Sequence, residues 1–392
     1  MKIVFLTGSI FNLGGIQRVV TVIANELSKE HEVEVLCTSN KFPVDRKLYG
    51  LNENIKVILE DDFKKINPVT KVLTGSLRKL NKKTGIINNS NLLPIMKMLY
   101  TRKETKDKFI KFISENKYDI VIGVEGELSL ILGSIKEQLS CKTIGWQHNS
   151  YEAYFETKNK YYYNQSVVYS EFINKLDNYI VLTEHDKRKL KENLGVKSTT
   201  IYNPLSFKSK EKAKLKNKKL ISVGRLAKQQ KGFDLLLKAF KIVLDKHKDW
   251  SLSIVGDGPD KNELVKLSEE LGISSSVNFK ESTNNIKSEY LDSTIYVSSS
   301  RWEGFGLVIT EAMECGLPVV AFENSGPKEI ITSDKNGLLV ERENIKKLAS
   351  SIIYLIENEK KRERIALSSI ERANDFNIEN IMSQWNEIVE LG

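Results

Sequence analysis

Leu220-Ile221-Ser222-Val223-Gly224 is a short apolar run closed by glycine, and beyond the loop carrying Lys231-Gly232 the residues Phe233, Leu236, Leu237, Phe240 and Val243 fall on one helix face. The same order opens the chain. Ile3-Val4-Phe5-Leu6 leads into Gly8, Gly14 and Gly15, and Val19, Val20, Ile23, Ala24 and Leu27 follow at helical spacing. Strand, glycine loop and helix therefore start twice, which predicts two α/β domains built alike.

Outward from these two starts, apolar runs continue over 31–37, 55–59, 119–123, 143–146 and 179–182, and then over 250–255, 277–280, 295–298 and 318–322. Helical stretches such as 261–271 and 307–314 separate them. Strands alternating with helices predict doubly wound parallel sheets covered on both faces, with ligands at the C-terminal strand ends. Asn203-Pro204 stops a strand, and Ser206 to Lys219, rich in Lys and Ser, has the composition of an exposed linker. The expected domains are 1–205 and 206–375, followed by an amphipathic helix over 376–392 with Phe376, Ile378, Ile381, Trp385, Ile388 and Val389 on its apolar side.

Composition narrows the function classes. With 392 residues, 40% hydrophobic and 28% charged, the chain is neither disordered, collagenous nor a membrane-embedded bundle. The net charge of +9 favours anionic ligands. Cys37, Cys141 and Cys315 are too scattered for a disulfide framework or a zinc site, so a reducing cytoplasm is expected. The apolar start is too short for a signal peptide, and no run reaches the ~18 apolar residues of a membrane span. No basic helix interleaved with stacking aromatics appears, so no nucleic-acid partner is expected.

The densest chemistry lies in Ser300-Arg301-Trp302-Glu303-Gly304-Phe305-Gly306-Leu307-Val308-Ile309-Thr310-Glu311-Ala312-Met313. A strand ends, two glycines let a ligand approach the backbone, and a helix starts with its free amides facing the loop, which makes an anion seat. Glu303 stands in the loop and Glu311 is placed about two turns into the helix; carboxylates beside a phosphate seat suit sugar hydroxyls. A nucleotide bearing a sugar is the matching ligand. Gly224-Arg225-Leu226 with Lys231-Gly232-Phe233-Asp234 supplies cations for a diphosphate leaving group. Gly14-Gly15-Ile16-Gln17-Arg18 either approaches a phosphate or makes a tight turn. Ile254-Val255-Gly256-Asp257-Gly258-Pro259 is half a dinucleotide fingerprint, with Lys261 where the third glycine belongs.

Together these motifs resemble the family 4 nucleotide-sugar glycosyltransferases, retaining enzymes of the two-domain GT-B fold, and the resemblance spans nearly the whole chain. Its most specific part is the paired glutamates around Gly-Phe-Gly. The resemblance implies two Rossmann-like domains facing across a cleft, with the acceptor on the first and the donor on the second. By it, Glu311 holds the ribose and Glu303 contacts the donor sugar. Arg225, Lys231 and the amides of Gly306 and Leu307 bind the donor diphosphate, with Gly15 closing on it. His148, in Trp146-Gln147-His148-Asn149-Ser150, matches a family histidine beside the donor sugar, so His148 and Glu303 are the catalytic candidates. Arg225 and Lys231 lie one residue further apart than is common in the family, which brings Lys228 into contention, and Gln17 replaces a usual Glu.

The implied reaction transfers a hexose or N-acetylhexosamine, from UDP by preference, in α linkage to a glycan, lipid-linked by expectation, in bacterial surface polysaccharide or glycoconjugate synthesis. No cofactor or metal is expected, since no Asp-x-Asp occurs. The alternatives are a GDP-mannose-dependent mannosyltransferase and a protein of this fold that transfers nothing, an epimerase or nucleotide-sugar sensor. Lys64 to Lys83 holds seven basic residues and no acid among interleaved apolar side chains, the pattern of a contact for an anionic membrane on its cytoplasmic face.

Overall fold

A computed structural model of the chain describes all residues except 65–67, 284, 391 and 392, together with all side chains of those residues except 64 and 68–73. The chain divides into two compact units. Met1–Tyr202 with Ile381–Gly392 form the first, and Asn203–Asn380 form the second.

In the first unit seven strands run parallel: β1 (Lys2–Thr7), β2 (Glu32–Cys37), β3 (Lys56–Leu59), β4 (Ile120–Val124), β5 (Lys142–Trp146), β6 (Asn178–Val181) and β7 (Thr199–Thr200). Their order is β3-β2-β1-β4-β5-β6-β7. Ile3, Val4, Phe5 and Leu6 are all fully buried, because helices cover both faces and even alternate residues find no solvent. Each such side chain contributes roughly 1.5–3 kcal/mol on leaving water.

The second unit repeats the plan with β8 (Lys219–Val223), β9 (Ser251–Val255), β10 (Val277–Lys280), β11 (Ile295–Ser298), β12 (Val319–Phe322) and β13 (Leu338–Val340) in the order β10-β9-β8-β11-β12-β13. The order reverses beside the first strand of each sheet: β1 lies between β2 and β4, and β8 between β9 and β11. Loops on either side of such a reversal diverge and leave a crevice at the carboxyl ends of the strands. The glycine loop after β1, the Gly224 loop after β8 and the Glu303 loop after β11 all sit at these points.

Two expectations need correction. The segment after Asn203 is largely exposed, as expected, but it is pinned and not a free tether: the buried Glu314 carboxylate accepts from the Ser209 amide (2.7 Å) and the Lys212 ammonium (3.0 Å), and the Ala213 amide donates to the Cys315 carbonyl (2.8 Å). A carboxylate only 5% exposed needs such partners, and the Lys-rich segment supplies them. The terminal helix is Ile378–Glu390, whereas Phe376 packs in the second unit against Phe305, ring centroids 5.4 Å apart.

Candidate functional site

In the second unit the site is built from two loops locked together. After β8 the chain passes through Gly224 and Arg225 to a short helix, Lys228–Lys231. Gly256 lies so close that a Cβ there would meet the Gly224 carbonyl at 2.1 Å, and one on Gly258 would meet the Leu226 carbonyl at 2.5 Å. The half-fingerprint of the sequence is thus a brace for the β8 loop. Gly232 (φ 62°) approaches the loop after β11 in the same way, since a Cβ on it would fall 2.0 Å from the Ser299 carbonyl.

Polar contacts complete the lock. The Ser299 hydroxyl donates to the Lys231 carbonyl (2.9 Å) and the Arg301 amide to the Gln230 carbonyl (2.7 Å). Arg301 grips Asp234 with two parallel bonds of 2.9 Å. Burial raises the Asp234 carboxyl and the Arg301 fork outweighs it, leaving the group below the usual carboxylate range. Asp234 and Arg301 stood inside the quoted motifs, but sequence alone showed no reason to pair two charges 67 residues apart.

Glu303 emerges from this loop with its carboxylate on the Lys231 ammonium and within 3.3 Å of the Ser300 hydroxyl. Both partners of the ion pair are 15% exposed, so the charges attract with less screening than a surface pair. Lys228 points elsewhere, onto Glu263. Arg225 is exposed, and its side chain makes no hydrogen bond or ion pair among the described residues. Phe305 anchors the loop in the core at 2% exposure, Gly306 (φ 110°) turns it, and the helix Leu307–Glu314 begins. The Gly306 and Leu307 amides lie ahead of the first intrahelical bonds, where backbone donors face outward.

Glu311 is the fifth residue of that helix, just over one turn in and not two. It is 1% exposed and accepts from the Tyr290 hydroxyl at 3.1 Å. Below lies Tyr296, whose phenol is raised well above its ordinary value by burial first and then by the charges of Glu303 and Glu311. Asn324, after β12, donates to the Ser300 carbonyl (2.8 Å), and Gly326 passes close beneath Phe305. Tyr290, Tyr296 and Asn324 carry no local motif, and the sequence reading missed them.

In the first unit, Gly14 and Gly15 open the helix Gly15–Leu27 directly after β1, and the Gly14 amide donates to the Tyr49 hydroxyl (2.9 Å). Gln17 turns back toward the Ser9 carbonyl (3.4 Å). His148 follows β5; it is 7% exposed, stacks 4.4 Å from Trp146, and neither ring nitrogen has a partner among the described residues. Burial pushes its pKa down to about 3, so the ring is neutral at ordinary pH. His185 instead pairs with Glu152 (2.5 Å) and His247 with Glu357 (3.1 Å).

Residues 13–207 match the model for Glycosyltransferase Family 4 and residues 206–372 that for Glycosyl transferases group 1. An uncharacterized glycosyltransferase of Haemophilus influenzae is 31% identical over 99% of both chains. The chain belongs to the family 4 glycosyltransferases. The amylovoran biosynthesis glycosyltransferase AmsD of Erwinia amylovora is 27% identical, again over 99% of each chain. Among solved structures, a Staphylococcus aureus TarM mutant in complex with fondaparinux, alpha-GlcNAc-glycerol and UDP superposes with a TM-score of 0.77 at 17% identity, covering 98% of this chain and 99% of that one. The fold of this family 4 glycosyltransferase is accordingly GT-B.

Proposed function

We propose that this family 4 glycosyltransferase moves a hexose or N-acetylhexosamine from a UDP-linked donor, with retention of configuration, to a glycan acceptor in bacterial surface polysaccharide synthesis. The observation that carries the reading is the Lys231–Glu303 pair between the β8 and β11 loops, one turn of helix from the buried Glu311. It places a cation suited to a diphosphate against a carboxylate suited to a sugar hydroxyl, which is the junction a nucleotide sugar presents. The UDP in the TarM complex and the amylovoran biosynthesis in the name of AmsD support the donor and the process.

In this mechanism Arg225 and Lys231, with the amides of Gly306 and Leu307, stabilise charge that develops on the departing diphosphate. Gly15 approaches the same group from the first unit. Glu311 orients the ribose through a carboxylate already held by Tyr290. Glu303 and the neutral His148 hold the donor sugar, and the acceptor proton passes to the leaving phosphate oxygen. No cofactor or metal takes part in these steps; unchanged turnover in EDTA checks that.

The acceptor side faces an anionic membrane in this proposal, on the cytoplasmic face. Among the described residues no helix is long and apolar enough to cross a membrane. Lys64, Lys65, Lys71 and the apolar residues up to Leu73 lie outside the described side chains. In the rest of the helix Pro68–Thr84, Arg78 turns inward and donates to the Leu99 carbonyl (2.7 Å), which removes it from the expected contact. Leu77, Leu80, Ile86, Ile95 and Met98 are each at least 40% exposed, and residues 64–103 contain no acid. Flotation with phosphatidylglycerol vesicles but not with phosphatidylcholine vesicles is the expected result.

The deciding experiment is calorimetric titration with UDP, GDP, ADP and NAD. Selective UDP binding that Glu311→Ala abolishes is expected. Preference for GDP moves the donor to GDP-mannose, binding without any transfer points to a sensor or epimerase, and preference for NAD overturns the reading.

A further inference from the structure

The loop carrying His148 is held in two different ways. Its backbone is tied by hydrogen bonds: the Gln147 amide donates to the Ile180 carbonyl (2.9 Å), the Gln147 side chain donates to the Asn149 carbonyl (2.7 Å) and accepts from the Tyr179 hydroxyl (3.0 Å), and the Tyr151 amide donates to Asp186 (2.7 Å). The imidazole has no such tie. Its orientation comes from packing against Trp146, and Trp146 in turn meets Trp385 edge to face, centroids 4.7 Å apart at 72°. All three rings are buried, and the indole N–H of each tryptophan, like both His148 nitrogens, lacks a partner among the described residues. Contact alone sets the planes of this stack, so a shift of the outer ring reaches the inner one.

Trp385 stands on the helix Ile378–Glu390, whose first three residues group with the second unit and whose remainder groups with the first. Among the described residues after Asn203, those from Ile381 onward group with the first unit.

We infer that Trp385 is a positioning residue for transfer: through Trp146 it sets the plane of the His148 ring, so that the terminal helix determines how His148 meets the donor sugar. The inference rests on the proposed contact between His148 and that sugar. It predicts that Trp385 affects turnover through His148 and leaves nucleotide affinity in the second unit alone.

The test is a double-mutant cycle of His148→Ala and Trp385→Leu, with turnover counted per UDP-binding site so that misfolded protein drops out. His148→Ala is expected to lower kcat about 100-fold and Trp385→Leu about tenfold, with the UDP Kd changed less than about twofold in each. Because the Trp385 indole N–H has no partner among the described residues, Trp385→Phe is expected to recover kcat to within about threefold of the native value. The double variant is expected to be no slower than His148→Ala. Losses that multiply in the double variant, or full turnover in Trp385→Leu beside an impaired His148→Ala, overturn the inference and leave the histidine's own role standing. Full turnover in His148→Ala overturns both. Should Trp385→Leu give no folded protein, the cycle is run with Trp385→Phe, whose smaller loss must vanish in the His148→Ala background.

Discussion

The two candidate loops solve the same problem by opposite means. Around Glu303 in the second unit, charge is met by charge: Lys231 on Glu303 and Arg301 on Asp234, all partly exposed. Around His148 in the first unit the ring is neutral, buried and held by aromatic contact. A diphosphate-sugar junction brings charge that paired side chains are ready to exchange for, whereas a neutral ring whose nitrogens are not already engaged can meet a sugar hydroxyl without first giving up a partner. Positioning by ion pairs and positioning by packing should also fail differently when perturbed.

The largest contrast is expected at Glu303. Glu303→Gln keeps the shape of the loop and releases Lys231 from its pair; UDP affinity should hold or rise while kcat falls about 100-fold or more. Steady-state kinetics beside calorimetry reads both, and full activity would remove Glu303 from the chemistry. Next is the brace under the β8 loop. Gly256→Ala puts a Cβ against the Gly224 carbonyl at φ 146°, and a loss of about 2–4 kcal/mol is expected in denaturant unfolding. Gly195→Ala, also at positive φ but with nothing within 4 Å, should cost about 1 kcal/mol, so equal losses would show that strain and not collision dominates.

The smallest effect distinguishes the packed loop. His148 has a folded pKa of about 3, below its unfolded value near 6.5, so its contribution to stability is present above ~6.5 and is lost as pH falls toward 3. Asp186, which anchors the Tyr151 amide, is raised by burial to about 7; its contribution is present below ~4 and is lost as pH rises through 7. The two slopes oppose each other between about pH 4 and 6.5. Asp186→Asn should therefore steepen the fall in melting temperature on acidification, and His148→Asn should flatten or reverse it. A parallel shift at every pH in both variants would contradict these assignments.

Much of this was legible in the linear chain because its signals are local. Glycine before a helix, apolar runs of strand length and the Glu303 to Glu311 spacing are all read within short continuous stretches of the chain. The choice between Lys228 and Lys231 was not local. Three residues apart, they differ in that one faces Glu263 and the other Glu303, and only the approach of the β11 loop to Gly232 separates them. The anchoring of the 206–219 segment was hidden for a similar reason, since its anchor Glu314 lies 105 residues from Ser209.

By itself the sequence determined the two α/β repeats and the residue types at each strand end, because backbone propensity and hydrophobic period act over short stretches, and its motifs carried the resemblance to the family. Tertiary structure alone decided which charges pair, that the Gly256 turn braces a loop, and that Trp385 stands behind His148. Those outcomes depend on which side chains the parallel crossovers bring together, and residues placed side by side by separate crossovers carry no shared signature in the order of the chain.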